Sequence, residues 1–193
     1  MIQRSLVLLK PDAIQRGIIG EILHRFERAG LKIVGMKLMT ADVELAKSHY
    51  PDTEEWRTAV GKKTLEDCQK YNIDPLKSVG TTDPLEVGNI VKKWNVDYLT
   101  SGPVLAIVFE GVNCVERVRS LVGHTAPTKA DPGTIRGDFG LDSTITANRR
   151  KRSIYNLVHA SGTEEEARQE IKLWFRDDEI LSYRRVHEDL YSY

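Results

Sequence analysis

The alternation of short apolar runs with amphipathic stretches of helical period constrains this chain most. Leu6-Val7-Leu8-Leu9 is uninterrupted apolar sequence stopped by Lys10-Pro11-Asp12, the signature of a buried strand with a sharp end. Asp12 is positioned to cap a helix with Ile14, Ile18, Ile22 and Phe26 on one face, and Gly30 to end it. Gly17 and Gly20 weaken that helix and suggest close packing against a neighbour. A second strand is predicted over Lys32–Met39 and a short helix over about Asp42–Tyr50. A third strand, Val104–Phe109, precedes a helix with Val112, Val115, Val118 and Val122 on one face, closed by Gly123. Leu157 and Val158 read as a short strand or turn ending at His159. Thr163-x-x-Glu166 then reads as a capping box for a helix striped by Ala167, Ile171 and Trp174. Two helices crossing one sheet in this order predict an α+β fold, a ferredoxin-like βαββαβ antiparallel sheet with helices on its faces.

Between these elements the pattern loosens. Residues 51–100 hold two predicted helices, near Thr64–Tyr71 and Pro84–Tyr98, the second capped by Asp83 with Pro84 at its first position. Thr125–Gly140 reads as a long ordered loop, and such loops are usually functional or disordered. Residues 140–155 carry Arg149-Arg150-Lys151-Arg152, which suits a solvated loop, a subunit contact, or a phosphate or nucleic-acid patch. The 193 residues are read as a single domain, 1–193. Their 28 basic and 28 acidic residues argue against a chain whose main task is coating nucleic acid or an anionic membrane. Two cysteines without a CxxC, and no stretch near the ~20 residues needed to span a bilayer, predict a cytoplasmic protein. A ferredoxin-like sheet supports many functions, so function must be sought in a site.

Six segments define one. Lys10-Pro11-Asp12, Gln15-Arg16-Gly17, His49-Tyr50, Ser101-Gly102-Pro103-Val104, the run from Pro132 to Phe139, and the run from Asn156 to Ser161 occur in an order that resembles the nucleoside diphosphate kinase family. The resemblance covers residues 1–50 and 101–191. It implies ping-pong transfer of a γ-phosphoryl group from a nucleoside triphosphate such as ATP to a nucleoside diphosphate, with His159 as the phosphohistidine nucleophile. Glu170 would hold the other imidazole nitrogen, so that the reactive one stays unprotonated. Ser161 would hydrogen-bond that acid. Lys10 would sit near the transferred phosphate with Tyr50 supporting it. Arg119, Arg136 and Thr125 would contact the phosphates, and Asn156 the sugar. Phosphoryl transfer asks the protein mainly for such positioning and charge neutralisation. No Walker-type loop is present, so Mg²⁺ is expected to arrive with the nucleotide, without a dedicated protein ligand; Asp138 is a possible contact. The family also implies a homo-oligomer, a hexamer or tetramer built from dimers.

The chain departs from the family pattern in two places. The segment 51–100 is longer than the family's nucleotide-gripping hairpin by roughly thirty residues, an insertion length that chain entropy tolerates, and reads as a helical insert. Trp56, close to Tyr50, is the candidate to stack on the base. Residues 140–155 form a second extension of roughly ten residues. Ala160 and Gly162 stand where the family commonly has Gly and Asp. Two alternatives stay open: a family member with a regulatory role and weak catalysis, and a nucleic-acid-binding module using residues 149–152.

Overall fold

In the computed structural model residues 2–186 are described, so Met1 and the last part of the 101–191 stretch lie outside the described residues. The first apolar run belongs to β1 (Ile2–Leu9), followed by α1 (Pro11–Gln15) and α2 (Ile19–Arg28). The single helix expected here is two. Gly17 takes a left-handed backbone (φ +66°) and the amide of Ile18 reaches back to the carbonyl of Ala13, ending α1. A Cβ at Gly17 or Gly20 would meet nothing within 4 Å, so neither glycine serves close packing. Nor does Asp12 cap the helix; Lys10 occupies that position and the Asp12 carboxylate is used elsewhere.

β2 (Lys32–Met39) has the expected bounds, and Asp42 caps α3 (Val43–His49) through the amide of Leu45. α4 (Glu54–Lys70) starts ten residues before the predicted Thr64 because Thr53 caps it, accepting from the amide of Trp56. A short α5 (Pro75–Ser78) precedes α6 (Pro84–Leu99), capped by Asp83 as expected. β3 (Val104–Val112) absorbs Val112, which is exposed at its end rather than on the helical stripe. α7 (Cys114–Val122) ends at Gly123, at φ +82°. The predicted loop contains a 3₁₀ turn (Pro127–Lys129) and α8 (Ile135–Phe139), capped by Thr134. Then come α9 (Thr144–Arg149), β4 (Val158–Ala160) and α10 (Glu164–Trp174). Only half of the capping box forms: Thr163 Oγ1 accepts from the amide of Glu166, whereas the Glu166 carboxylate accepts from Gly162.

The four strands lie in the order β2-β3-β1-β4, every neighbour antiparallel. β1 and β3 are central, and the alternation of their side chains divides the core in two. Val7, Leu9, Ile107 and Phe109 pack with Ile22 and Phe26 of α2 and Val118 of α7. Leu6, Leu8, Ala106 and Val108 face the opposite way, onto Ala46 of α3, Leu99 of α6 and Trp174 of α10. α4 and α6 form a hairpin whose backbones touch. A Cβ on Gly61 would lie 1.8 Å from the carbonyl oxygen of Pro84, and one on Gly88 2.0 Å from that of Arg57. The 140–155 segment leans on this hairpin: Ser78 Oγ donates to the carbonyl of Asn148 at 3.0 Å, and Ser153 Oγ to Asn95 Oδ1 at 2.6 Å. The two stretches that depart from the family pattern thus build one wall. Among the described residues no helix is long and apolar enough to cross a membrane.

Candidate active site

β4 carries His159 at the edge of the sheet, paired with Leu8 of β1, and β1 delivers Lys10 just beyond its carboxyl end. Both line a cavity of about 600 Å³ whose outer wall is the α4–α6 hairpin with α9. Lys10 is buried. Its Nζ donates to Asn156 Oδ1 at 2.9 Å and lies 5.1 Å from the centre of the Tyr98 ring. Burial and the neighbouring Arg136 lower its pKa to about 7, against the opposing pull of Asp12. Tyr50 lines the same cavity, but its buried hydroxyl has no hydrogen-bond partner among the described residues. Lys10 is therefore held by Asn156 rather than by Tyr50, and burial pushes the Tyr50 phenol upward.

His159 Nε2 lies 2.8 Å from Glu170 Oε1, without the alignment of a hydrogen bond. The other carboxylate oxygen accepts from Ser161 Oγ at 2.6 Å, as expected. Desolvation, then Lys10, Arg136 and Arg119, lower the His159 pKa to about 3, so the imidazole is neutral at pH 7. Burial raises that of Glu170, partly offset by His49 and Ser161. The turn leading into β4 is unusual. Leu157 is fully buried at φ +68°, and the amide of Val158 bonds the carbonyl of Asn156, closing a three-residue γ-turn. Three groups hold it. Asp12 accepts from the Leu157 amide and from the Tyr98 hydroxyl, the Lys10 amide bonds the Leu157 carbonyl, and Arg136 donates to the carbonyls of Asn156, Val158 and Gly123.

Arg136 is accordingly a backbone brace as well as a cation, and burial lowers its pKa to about 10. Arg119 lines the cavity with no hydrogen bond or ion pair among the described residues, free for an anion. Asn156 spends its amide internally, on Lys10 and on the carbonyl of Thr125. Trp56 is absent from the cavity lining; Trp94 of α6 is there, with Val60, Val91 and Ile154. Asp138 also lies away, paired with Arg25 at 2.5 Å. Among the described residues the one carboxylate lining the cavity is Asp67, 3.6 Å from Lys129. Of the basic run, Arg152 is tied to Asp142 at 2.5 Å and lies over the Tyr155 ring at 4.0 Å. Sequence reasoning passed over His49, which was quoted only as a neighbour of Tyr50. Its ring centre lies 4.3 Å from that of His159.

The sequence model described as "Nucleoside diphosphate kinase" matches residues 3–63 and 91–180. The chain belongs to the nucleoside diphosphate kinase family. The internal unmatched stretch, 64–90, runs from within α4 to within α6. A nucleoside diphosphate kinase of Pyrobaculum aerophilum is 49% identical over 180 residues, 93% of this chain and 98% of that one. The crystal structure of an NDP kinase from Pyrobaculum aerophilum superposes with a TM-score of 0.91 at 47% identity, covering 94% of this chain and all of that one. A Borrelia burgdorferi nucleoside-diphosphate kinase, solved as a transition-state mimic with vanadate and ADP, superposes with a TM-score of 0.76 at 37% identity, over 97% and 95% of the two chains.

Proposed function

We propose that this chain is an active nucleoside diphosphate kinase that uses His159 as its phosphoryl carrier. The observation that carries the reading is the placing of a neutral His159 imidazole in the cavity with Nε2 turned to Glu170, which leaves Nδ1 for the substrate. In the first step the Nδ1 lone pair attacks the γ-phosphorus of a nucleoside triphosphate such as ATP, and the bond to the bridging oxygen breaks, releasing a nucleoside diphosphate. Nε2 keeps its proton, and the positive ring faces the Glu170 carboxylate. In the second step a terminal phosphate oxygen of another nucleoside diphosphate attacks the phosphorus, the P–N bond breaks, and the neutral imidazole returns. Lys10, Arg119 and Arg136 converge on the space where charge builds on the moving oxygens. Lys10, poised near pH 7, becomes fully protonated when phosphates enter.

Trp94 takes the stacking role first given to Trp56, since it lies in the hairpin wall of the cavity. Thr125 serves the phosphates, and Asn156 the sugar through the amide N–H that its bond to the Thr125 carbonyl leaves over. Mg²⁺ bound to the nucleotide phosphates would neutralise their charge; Asp67, the one carboxylate lining the cavity among the described residues, is already paired with Lys129, so the ion would be carried by the nucleotide. β2 is an edge strand with Met36 and Leu38 exposed, which favours edge-to-edge pairing of two copies as the dimer of a larger homo-oligomer. Two free, buried cysteines fit a cytoplasmic setting.

The test is incubation with γ-labelled ATP and Mg²⁺. The wild type should acquire an acid-labile, base-stable label within seconds and pass it to added nucleoside diphosphate. His159→Asn should bind nucleotide without labelling. Folded wild-type protein that never labels refutes the reading.

A further inference from the structure

Two cations and two rings form one row that starts at the cavity. Lys10 Nζ lies 5.1 Å from the centre of the Tyr98 ring. Tyr98 stacks on Tyr155, with centres 4.8 Å apart and planes 23° from parallel, and Arg152 Cζ lies 4.0 Å from the centre of the Tyr155 ring. Among the described residues lining the cavity are Lys10 and Arg152 but neither tyrosine. We propose, on the phosphohistidine reading of the site, that Tyr155 is a positioning residue for phosphoryl transfer. It holds the Tyr98 ring against the ammonium of Lys10, and so couples the 140–155 extension to that lysine.

The other bonds of Lys10 and Tyr98 do not set the tilt of the ring. Lys10 Nζ donates to Asn156 Oδ1 at 2.9 Å, and the Tyr98 hydroxyl donates to Asp12. A bond at the phenol oxygen fixes one end of the ring, whereas the torsion that turns its plane is intrinsically broad. A ring stacked on it removes that freedom. The lysine contact depends on it, because the attraction between an ammonium and a ring face fades beyond about 6 Å from the ring centre. From 5.1 Å, a displacement of roughly 1 Å forfeits it.

Tyr155 is itself clamped. Its amide donates to Asp142 Oδ2 at 2.8 Å, and the same carboxylate holds Arg152 at 2.5 Å. Arg152 Nη1 also donates to the carbonyl of Ser153 at 2.8 Å. Ser153 Oγ in turn bonds Asn95, which lies one helical turn before Tyr98 on the same face of α6. The extension therefore grips α6 at two neighbouring points, once by a hydrogen bond and once by a ring. Tyr155 is 41% exposed and belongs to neither half of the apolar core, so filling space is not its main work. Lys10 neutralises the moving phosphoryl oxygens only where its ammonium is aimed, and misplacing such a group by about 1 Å is costly in rate.

The test is the single-turnover rate of His159 labelling at saturating γ-labelled Mg·ATP. Tyr155→Leu should slow it about threefold to thirtyfold, the span expected for one lost cation–ring contact. Tyr155→Gln, better suited to an exposed position, should do the same. Tyr155→Phe keeps the ring and should stay within about twofold of wild type. In a Lys10→Met background, Tyr155→Leu should cost less than about twofold, because the group it positions is gone. A wild-type rate in either ringless variant, Tyr155→Phe as slow as Tyr155→Leu, or equal fold losses with and without Lys10 overturns the role. A merely structural Tyr155 gives the last of these results. A crystal structure of nucleotide-free Tyr155→Gln reads the same role without activity. Lys10 Nζ should lie more than about 6 Å from the centre of a turned Tyr98 ring, and an unmoved pair overturns the role. Wild type that never labels would instead refute the kinase reading, while that structure would still decide the positioning.

Discussion

Lys10→Met should produce a more stable protein with almost no activity. In an unfolded chain a lysine titrates near 10.5, whereas Lys10 in the fold has a pKa of about 7 because it is desolvated beside Arg136. The native state therefore resists a proton that the unfolded state binds readily. The difference is roughly three pKa units at about 1.4 kcal/mol each, so at pH 7 and below, retaining a protonatable amine costs on the order of 4 kcal/mol. Methionine fills a similar volume without charge but forfeits the bond to Asn156, worth about 1 kcal/mol. A net gain of about 3 kcal/mol is expected. The sign with pH is determined by the direction of the shift. Between about pH 7 and 10.5 the unfolded chain binds more protons than the native one, so wild-type stability recovers as pH rises. Urea unfolding of both proteins at equal concentration, at pH 6.5 and 9.5, gives the gap directly. It should be wide at the lower pH and shrink by more than half at the higher. A variant less stable than wild type, or a gap that ignores pH, would refute the claim that Lys10 is held against its own hydration.

Three further outcomes follow from the same contacts. Asp12→Asn can still bond Leu157 and Tyr98 but removes the charge that raises the Lys10 pKa. The high-pH limb of kcat/KM for labelling, near pH 7 in the wild type, should therefore move to lower pH, and an unmoved limb counts against Lys10 as the titrating group. Trp94→Ala should raise KM for nucleotides about fivefold to a hundredfold, as expected for a lost stacking contact of 1–3 kcal/mol, with kcat little changed. Trp56→Ala should do neither, and the reverse result would restore Trp56. Gly61→Ala must force α4 from the backbone of Pro84. It should destabilise by at least about 1–3 kcal/mol by denaturant melting, although alanine is the better helix former.

What could be read in the residues was local. β2 and α6 have their predicted starts because Gly30, which closes the helix before β2, and Asp83-Pro84 carry their own boundary chemistry. The break at Gly17 was hidden because Ile14, Ile18, Ile22 and Phe26 keep helical spacing across it, and a glycine in a helix looks the same as one that ends it. The family resemblance brought His159, Glu170, Ser161 and Lys10 to one place, where they stand. Trp56 does not line the cavity, for a physical reason. Nearness to Tyr50 along the chain suggested Trp56, but the face that α4 and α6 turn to the cavity depends on the contacts of Gly61 and Gly88, thirty residues apart in places. Nothing local in Asn156 or Arg136 announced that their donors would be committed to backbone carbonyls.

The γ-turn at Leu157 makes catalytic history hard to erase. Two of the cations assigned to phosphate in the proposed mechanism also keep the preceding loop shut, Arg136 by its carbonyl bonds and Lys10 by its own amide, and Asp12 joins them with its carboxylate. A descendant of this chain freed from any need to transfer phosphoryl groups could not discard Arg136 or Asp12 without rebuilding the approach to β4. Retention of those two residues therefore reports an intact loop. Whether the enzyme still turns over must be read from His159 and the unencumbered Arg119.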